Sequence, residues 1–133
     1  MVSGKHPNIV EYFECFEEIG VIHLVLEYCS KGNLNNVIHS KRFREGGEKL
    51  TAKLVYQVAG ALHFLRDLLI VHRDVKPSNL VFAEDEVVKL TDFGCACLAD
   101  NPVQDLTDIK GTPIFFSPEI HQLPRGSSRR GLS

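Results

Sequence analysis

Apolar residues near the start of the chain form two β-rich runs. Residues 9–16 (IVEYFECF) and 21–29 (VIHLVLEYC) are rich in β-branched and aromatic residues, and a short turn containing Gly20 separates them. Two runs of this kind joined across a glycine-containing turn are typical of a β-hairpin. The pattern therefore predicts a hairpin in the first quarter of the chain.

A helical repeat dominates the middle of the chain. Thr51 has the residue type of a helix N-cap, and apolar residues then recur with a period of about 3.6 residues. These positions are Leu54, Val55, Val58, Ala61, Leu62, Leu65 and Leu69. The repeat predicts an amphipathic helix over about 52–68. The charged, glycine-containing segment 40–49 is predicted to be a loop, and Leu34, Val37 and Ile38 indicate a short helix before it.

Two short apolar runs after the helix, residues 80–82 and 87–90, predict a second hairpin with an acidic turn. The segment HRDVKPSN (72–79) precedes its first strand, and TDFG (91–94) follows its second strand. The hairpin would therefore return the second polar segment to the neighbourhood of the first. Residues 95–113 are predicted to be a loop.

Four polar residues in these two segments suit phosphate chemistry. The carboxylates of Asp74 and Asp92 and the amide oxygen of Asn79 are ligand types that Mg²⁺ prefers. Asp74 can also accept a hydroxyl proton. Lys76 points the same way as Asp74 in an extended loop, where its charge can steady a phosphoryl group. The two aspartates could instead be ordinary turn or cap residues, but their occurrence with Lys76 and Asn79 makes that interpretation the weaker one.

Composition excludes some partner classes and compartments. Net charge is −2 and 44% of the residues are apolar, so neither nucleic acid nor a membrane surface is expected as a partner. The N-terminus has no signal-peptide core and no run of eighteen apolar residues occurs, which predicts a cytoplasmic or nuclear protein. Cys15, Cys29, Cys95 and Cys97 show no C-x-x-C spacing, so we expect reduced, partly buried thiols.

Several segments, in order, resemble the motifs of the eukaryotic protein kinase family. HRDVKPSN resembles the catalytic loop, and DFG (92–94) the metal-binding motif. GTPIFFSPE (111–119) resembles the segment that ends in A-P-E, with Ser117 in place of Ala. HPNIV (6–10) and HLVLEYC (23–29) resemble the fourth and fifth strands and the hinge. The resemblance implies an α+β, two-lobe kinase fold that is incomplete, with the end of the small lobe, the hinge and the first part of the large lobe.

The resemblance also assigns a domain, a reaction and chemical roles. It implies a partial kinase domain over 5–121, and the Gly-, Ser- and Arg-rich composition after it predicts a flexible tail over 122–133. The activity would be transfer of the ATP γ-phosphoryl group to Ser or Thr hydroxyls of protein substrates. The implied catalytic residues are Asp74, as the base, and Lys76, a cation that marks the serine/threonine type. The implied Mg²⁺ ligands are Asn79 and Asp92.

Further residues are implied at the adenine site and in regulation. The Glu27 carbonyl and the Cys29 N–H would bind the adenine edge, with Leu26 as gatekeeper and Val81 beneath the ring. The implied regulatory residues are Arg73, which would meet a negative group on the activation loop, Thr107, an activating phosphosite, and Thr112, which would hydrogen-bond the catalytic Asp and Lys. An upstream activating kinase or a regulatory protein would then be a partner. QDLTDIKGTPIFFSPE is similar to the calmodulin-dependent kinase kinase group.

Two hypotheses remain open. The chain contains no G-x-G-x-x-G and no V-A-I-K, the motifs that cover and pair with the ATP phosphates in this family. It is therefore either a fragment of a serine/threonine kinase or a catalytically inactive, pseudokinase-like binding module. The presence of Asp74, Lys76, Asn79 and Asp92 together favours the first hypothesis.

Overall fold

The computed structural model describes residues 4–84, 86–100 and 109–122. They form an α+β arrangement in which one long helix packs against a strand hairpin. The strands are β1 (Tyr12–Glu18), β2 (Val21–Leu26), β3 (Ile70–Val71), β4 (Leu80–Glu84), β5 (Val87–Leu90) and β6 (Cys97–Leu98). The helices are α1 (Leu34–Val37), α2 (Lys41–Asp67) and α3 (Pro118–His121), with 3₁₀ turns at Pro77–Asn79 and Pro113–Phe115.

The first predicted hairpin is confirmed, with different strand limits. Strands β1 and β2 pair antiparallel, and every residue in both strands is exposed. The HPNIV segment lies outside the strands, with Ile9 in an isolated bridge to Leu90 on β5. The turn residues Ile19 (φ 52°) and Gly20 (φ 73°) both have positive φ, which is the backbone of a two-residue type I′ turn.

Ile19 is the poorly matched residue of this turn. A β-branched residue at positive φ is strained, and Ile19 is 96% exposed, so no packing offsets the strain. Ile19→Asn places the preferred Asn-Gly pair in the turn. We expect it to raise the free energy of hairpin opening by about 1 kcal/mol, slowing amide hydrogen exchange in β1 and β2 about fivefold. Ile19→Val keeps the β-branch and should give no protection; equal protection in both variants would contradict the turn-strain argument.

Helix α2 begins earlier than its apolar repeat, so the loop prediction for 40–49 is wrong. Ser40 is the N-cap, and its Oγ accepts a hydrogen bond from the Phe43 N–H at 3.2 Å. Phe43 and Leu50 pack against the core, and this burial overrides the polar composition around them. Gly47 has non-helical angles (φ 51°, ψ −147°) and kinks the helix.

The proposed N-cap Thr51 lies inside helix α2. Its hydroxyl donates to the Gly47 carbonyl at 3.1 Å, a back-bond to the preceding turn. The helix ends at Asp67, close to the predicted end. Leu69 then takes a left-handed φ of 56°, which directs the chain into β3.

The core lies between α2 and the β4–β5 hairpin, which confirms both of these predicted elements. Its buried apolar members are Leu54, Leu65, Leu80, Phe82, Val88 and Leu90. Val55, assigned to the same helix face by the repeat, is exposed instead. The core therefore holds the strand hairpin whose two ends carry the polar segments 72–79 and 91–94.

Residues 95–113 contain a strand that the sequence pattern did not predict. Strand β6 pairs with β3 through Val71 with Cys97 and Ile70 with Leu98. Two residues per strand are too few to produce a periodic signal. This pairing fixes the chain just after Asp92 against the chain just before the 72–79 loop.

The four cysteines are free thiols. Cys29, Cys95 and Cys97 are partly buried, as expected, whereas Cys15 on β1 is exposed. In the described part of the chain, no helix is long and apolar enough to cross a membrane.

Candidate active site

The 72–79 loop is anchored by a buried histidine. His72 is 3% exposed, and its Nδ1 accepts the Asp74 backbone N–H at 3.3 Å. Because Nδ1 accepts, Nε2 carries the proton and donates to the Thr91 carbonyl oxygen at 3.0 Å. This imidazole joins the loop to the chain just before Asp92, which is a structural role.

The Asp74 carboxylate is the centre of the site. It is 7% exposed. Its Oδ1 accepts the Thr112 backbone N–H at 2.9 Å and the Thr112 hydroxyl at 2.7 Å. Its Oδ2 accepts Lys76 Nζ at 2.7 Å and Asn79 Nδ2 at 3.1 Å. Lys76 Nζ also donates to the Thr112 hydroxyl oxygen at 2.7 Å, which closes a triangle of three side chains.

These donors keep Asp74 ionised. The hydrogen bond from Lys76 is the largest influence; burial opposes it, and Thr112 and the Lys76 charge add to it, so the pKa falls to about 2. A depressed pKa of this kind contributes stability above the ordinary aspartate pKa, and that contribution is lost as pH falls through about 2. At neutral pH the site therefore presents a fixed negative charge with a fixed orientation.

Gly111 brings Thr112 to Asp74. Its φ is 105°, and an added Cβ would lie 2.2 Å from the Arg73 carbonyl oxygen. We expect Gly111→Ala to destabilise the fold by about 1–3 kcal/mol and to move Thr112 away from Asp74. The Asp74 pKa, followed by carboxyl carbon NMR, should rise from about 2.

Gly20→Ala is the matched control, because Gly20 also has positive φ (73°) but no heavy atom lies within 4 Å of the place that an added Cβ would take. It carries the backbone strain without the steric clash. An unchanged Asp74 pKa in Gly111→Ala would show that this contact does not hold Thr112 in place.

Asn79 and Asp92 supply the oxygen atoms beside this carboxylate. Asn79 is 5% exposed, and its Nδ2 donates to the Asp74 carbonyl as well as to its side chain, so its carboxamide oxygen is the atom that can bind a cation. The Thr91 N–H donates to the Asn79 carbonyl at 3.0 Å, which brings the exposed Asp92 beside Asn79. Asp92 has φ 62°, and its Oδ1 accepts the Gly94 N–H at 3.2 Å.

This pair of residues fits a hard cation that keeps water or phosphate ligands. Among the described residues, no group of three or more His, Cys, Asp and Glu forms a metal cluster. One amide oxygen and one carboxylate do not complete a coordination sphere, but Mg²⁺ is commonly bound by one or two carboxylates with waters and substrate phosphates.

The segment proposed as the hinge is tied to β5 by an ion pair. Lys89 Nζ lies 2.8 Å from both carboxylate oxygens of Glu27, and the Glu11 N–H donates to the same carboxylate at 3.0 Å. Burial raises the Glu27 pKa, but Lys89 and the Glu11 N–H together hold it below its ordinary value. Burial raises the pKa of the Cys29 thiol, which keeps it protonated.

The predicted adenine-side residues lie on two elements. Leu26 ends β2, and Val81 lies on β4 in a bridge with Asn33. A cavity of about 970 Å³ is lined by Leu26 together with Asp92 and Phe93. The edge of the Phe93 ring contacts His72, with centroids 4.8 Å apart. The cavity therefore joins Leu26 to the segment of Asp92, whereas Glu27, Cys29, Val81 and Asn79 do not line it.

Of the regulatory residues, Thr107 lies outside the described residues. Arg73 has φ 64°, and its Nε donates to the Cys95 carbonyl at 2.6 Å. It thus contacts the segment that follows DFG. The structure brings Asp74, Lys76, Asn79 and Thr112 together, while the chemical role of each remains a prediction.

Three residues of this region were missed at the sequence level. They are Lys89, Asn8 and Gln57, whose side chains all hydrogen-bond across sequence separations of more than thirty residues. A lysine on a strand and two carboxamides in polar surroundings carry no periodic or motif signal. Of these three residues, only Asn8 lies in a segment that resembles a family motif, HPNIV (6–10).

Comparison with known proteins places the site in a family. The protein kinase domain model matches residues 1–129. Serine/threonine-protein kinase Nek1 of Mus musculus is 38% identical over 120 residues, covering 90% of this chain. CBL-interacting serine/threonine-protein kinase 2 of Arabidopsis thaliana is 36% identical over 90% of the chain. Serine/threonine-protein kinase ATG1b of Arabidopsis thaliana is 38% identical over 96%.

The chain spans 10%, 26% and 18% of the lengths of these three relatives, respectively. This partial coverage, together with the small strand hairpin and few helices, confirms the predicted incomplete kinase fold. The finer likeness to the calmodulin-dependent kinase kinase group remains a prediction. The chain belongs to the protein kinase family, among its serine/threonine-type members.

Proposed function

We propose that this chain carries the catalytic loop, metal-binding residues and hinge of a serine/threonine protein kinase, which transfers the γ-phosphoryl group of ATP to Ser or Thr hydroxyls of protein substrates. One observation carries the proposal. The buried Asp74 carboxylate is held by Lys76 and Thr112 beside Asn79, a fixed arrangement of anion, cation and amide. Serine/threonine kinases among the relatives support the choice of acceptor.

In this proposal Asp74 orients the acceptor hydroxyl and takes its proton. A carboxylate with a pKa of about 2 is a weak base, so its main contribution is position rather than basicity. That suits phosphoryl transfer, in which catalysis is almost entirely positioning and electrostatic stabilisation. Lys76 places a positive charge next to the same carboxylate, where it offsets negative charge that develops on the transferred group.

Asn79 and Asp92 would hold Mg²⁺, and when bound the ion neutralises charge on the phosphate oxygens. The backbone of Glu27 and Cys29 would bind the adenine edge, with Leu26 and Val81 as its apolar neighbours. The cavity that both Leu26 and Asp92 line supports a binding site between these two positions.

Regulation is proposed to act through the segment after DFG. Arg73 already contacts that segment at the Cys95 carbonyl, and a guanidinium in this position can also pair with a phosphate. Thr107 would be the residue that an upstream kinase phosphorylates. Thr112 would couple the segment to Asp74, which it hydrogen-bonds through both its backbone and its side chain.

The alternative, an inactive binding module, is not favoured. Such a module has no need of an ionised, immobilised carboxylate paired with a lysine. Burying that pair costs desolvation, which apolar side chains of similar volume would avoid. The proposal also explains why Asp74, Lys76, Asn79 and Thr112 are held together rather than dispersed to solvent.

The test replaces the aligned 120-residue segment of mouse Nek1 by this chain, giving a protein called here the Nek1 exchange protein. The parts of this serine/threonine-protein kinase outside the aligned segment are kept, and in this family the glycine-rich loop and the lysine precede the matched motifs. We expect Mg²⁺-dependent transfer from ATP to a mixture of Ser/Thr protein substrates, with phosphoserine and phosphothreonine as the products. The 133-residue chain alone is the control and should be slower, because it contains neither motif. A folded exchange protein that binds ATP without transfer would overturn the proposal in favour of a binding module.

A further inference from the structure

Strand β5 is the buried strand that leads to Asp92. Its residues Val88 and Leu90 are 1% and 0% exposed. One edge of β5 pairs with β4. On the other edge, the Leu90 N–H donates to the Asn8 carbonyl at 2.8 Å, and the Val10 N–H donates to the Leu90 carbonyl at 3.0 Å. The segment around Asn8 therefore pairs with the second half of β5.

A side chain continues that pairing along the first half of β5. Gln57 Oε1 accepts the Val88 N–H at 3.1 Å, and Gln57 Nε2 donates to the Glu86 carbonyl at 2.9 Å. One acceptor and one donor on a planar carboxamide reproduce the pair of hydrogen bonds that a residue of a neighbouring strand makes through its N–H and C=O. Helix α2 thus contributes one amide unit to the edge of the strand.

Asn8 joins these two parts of the ladder. Its Nδ2 donates to the Val88 carbonyl and to Gln57 Oε1, both at 2.8 Å. The backbone groups on this edge of β5 are thereby satisfied from Glu86 to Leu90. Buried backbone groups that lose their partners cost about 1–3 kcal/mol each, so this ladder opposes any movement of β5 along its axis.

The ladder fixes register, and register fixes Asp92. A shift of β5 by one residue would turn Val88 and Leu90 out of the core. The strand is followed at once by Thr91, whose N–H donates to Asn79 and whose carbonyl accepts His72 Nε2. Asp92 is the next residue. Its distance from Asn79 therefore depends on where β5 is held, and Gln57 is the side chain from α2 that holds it.

We propose that Gln57 is a positioning residue, which acts through β5 and Asn8 to hold Asp92 beside Asn79 for the divalent cation that accompanies ATP. The metal part of this inference rests on the proposed function, whereas the positional part rests on the hydrogen-bond ladder alone. Gln57 touches neither nucleotide nor metal in this proposal, so its loss should change metal dependence more than adenine binding.

The test uses the full chain with Gln57→Met, which keeps side-chain length and removes both polar atoms. The control is Lys53→Met, one turn earlier on α2, which removes the 2.7 Å ion pair with Glu86 but leaves the ladder intact. Two quantities are measured: amide hydrogen exchange in residues 87–94 of the chain, and the ratio of ATP affinity with Mg²⁺ to ATP affinity with a chelator in the Nek1 exchange protein carrying the same substitutions. We expect Gln57→Met alone to speed exchange and to lower the ratio, each by about tenfold.

Gln57→Glu tests whether β5 is held by the donor and acceptor of the carboxamide or only by the volume of the side chain. Its ionised form places a carboxylate oxygen against the Glu86 carbonyl, whereas its protonated form regains an O–H donor at that position. Exchange in residues 87–94, relative to the unmodified chain at each pH, should therefore recover as pH falls through the glutamate range. A merely volume-filling role predicts no recovery.

Each outcome bears on a separate claim. Unchanged exchange in Gln57→Met overturns the positioning role. Faster exchange with an unchanged Mg²⁺ ratio overturns the metal part, since β5 would then move without moving the metal site. If the unmodified Nek1 exchange protein binds no ATP under either condition, the proposed function fails, and the hydrogen-exchange measurement on the chain still decides whether Gln57 holds β5.

Discussion

Asp74→Asn is expected to lower phosphoryl transfer by the Nek1 exchange protein about 10²- to 10⁴-fold, the range for removal of a positioned acid–base group. The substitution keeps the shape of the side chain but removes its charge. Both carboxylate oxygens of Asp74 accept from donors, namely Thr112 on one side and Lys76 with Asn79 on the other. An amide NH₂ must face one of these sets, so the acceptor hydroxyl loses both its proton acceptor and its orienting group.

The same argument predicts a cost in stability, because a donor facing a donor leaves a buried group unsatisfied, at about 1–3 kcal/mol. Rates are therefore compared with ATP affinity, which should change little if adenine binds at the hinge as proposed. Asp67→Asn, at the exposed end of α2, is the control for an Asp-to-Asn change. Transfer within twofold of the unmodified protein by a folded Asp74→Asn variant would remove Asp74 from the catalytic role.

Lys76→Met is expected to lower transfer about 10²- to 10³-fold, similar to loss of one electrostatic contact to a transition state. Lys76 is also the largest cause of the low Asp74 pKa. Without it, burial raises the Asp74 pKa from about 2, so the acid limb of the pH–rate profile should move to higher pH. The direction follows because Asp74 must be ionised to act, and the variant reaches the protonated form at a higher pH.

The measurement is kcat/KM against pH for the exchange protein, with Lys53→Met as a control that removes an exposed lysine. The difference in free energy of unfolding between the Lys76→Met variant and the unmodified exchange protein should also shrink on acidification. A carboxylate whose pKa is lowered in the folded state contributes folding stability above its ordinary pKa. That contribution is lost as pH falls through the folded-state pKa. If the acid limb of the pH profile does not move in Lys76→Met, a group other than Asp74 controls that limb.

Order and spacing of motifs were sufficient to predict that Asp74, Lys76 and Asn79 lie together. Asp74 and Lys76 lie in one loop, and the short β4–β5 hairpin leaves few ways to place Asp92 other than beside Asn79. Thr112 was assigned from the family resemblance, and it makes the two hydrogen bonds that this assignment implied. The 3.6-residue repeat of apolar positions in α2 could be recognised in the sequence because the buried face of the helix is continuous from Leu54 to Leu65.

Features set by distant partners could not be predicted. The helix starts at Lys41 because Phe43 finds the core, and nothing in the polar segment around Phe43 indicates that contact. The pairing of β3 with β6 involves two residues in each strand. Gln57 looks like an ordinary helix residue until its carboxamide is seen against β5.

The β1–β2 hairpin differs from the rest of the chain in how it is held. Every residue of both strands is exposed, whereas β4 and β5 contribute most of the buried core. Regions with few buried contacts open at lower free energy than the core does. Heating should therefore melt the hairpin as a separate cooperative unit, with the Lys89–Glu27 ion pair at the boundary, so a single melting temperature would describe only the α2 and β4–β5 part of this molecule.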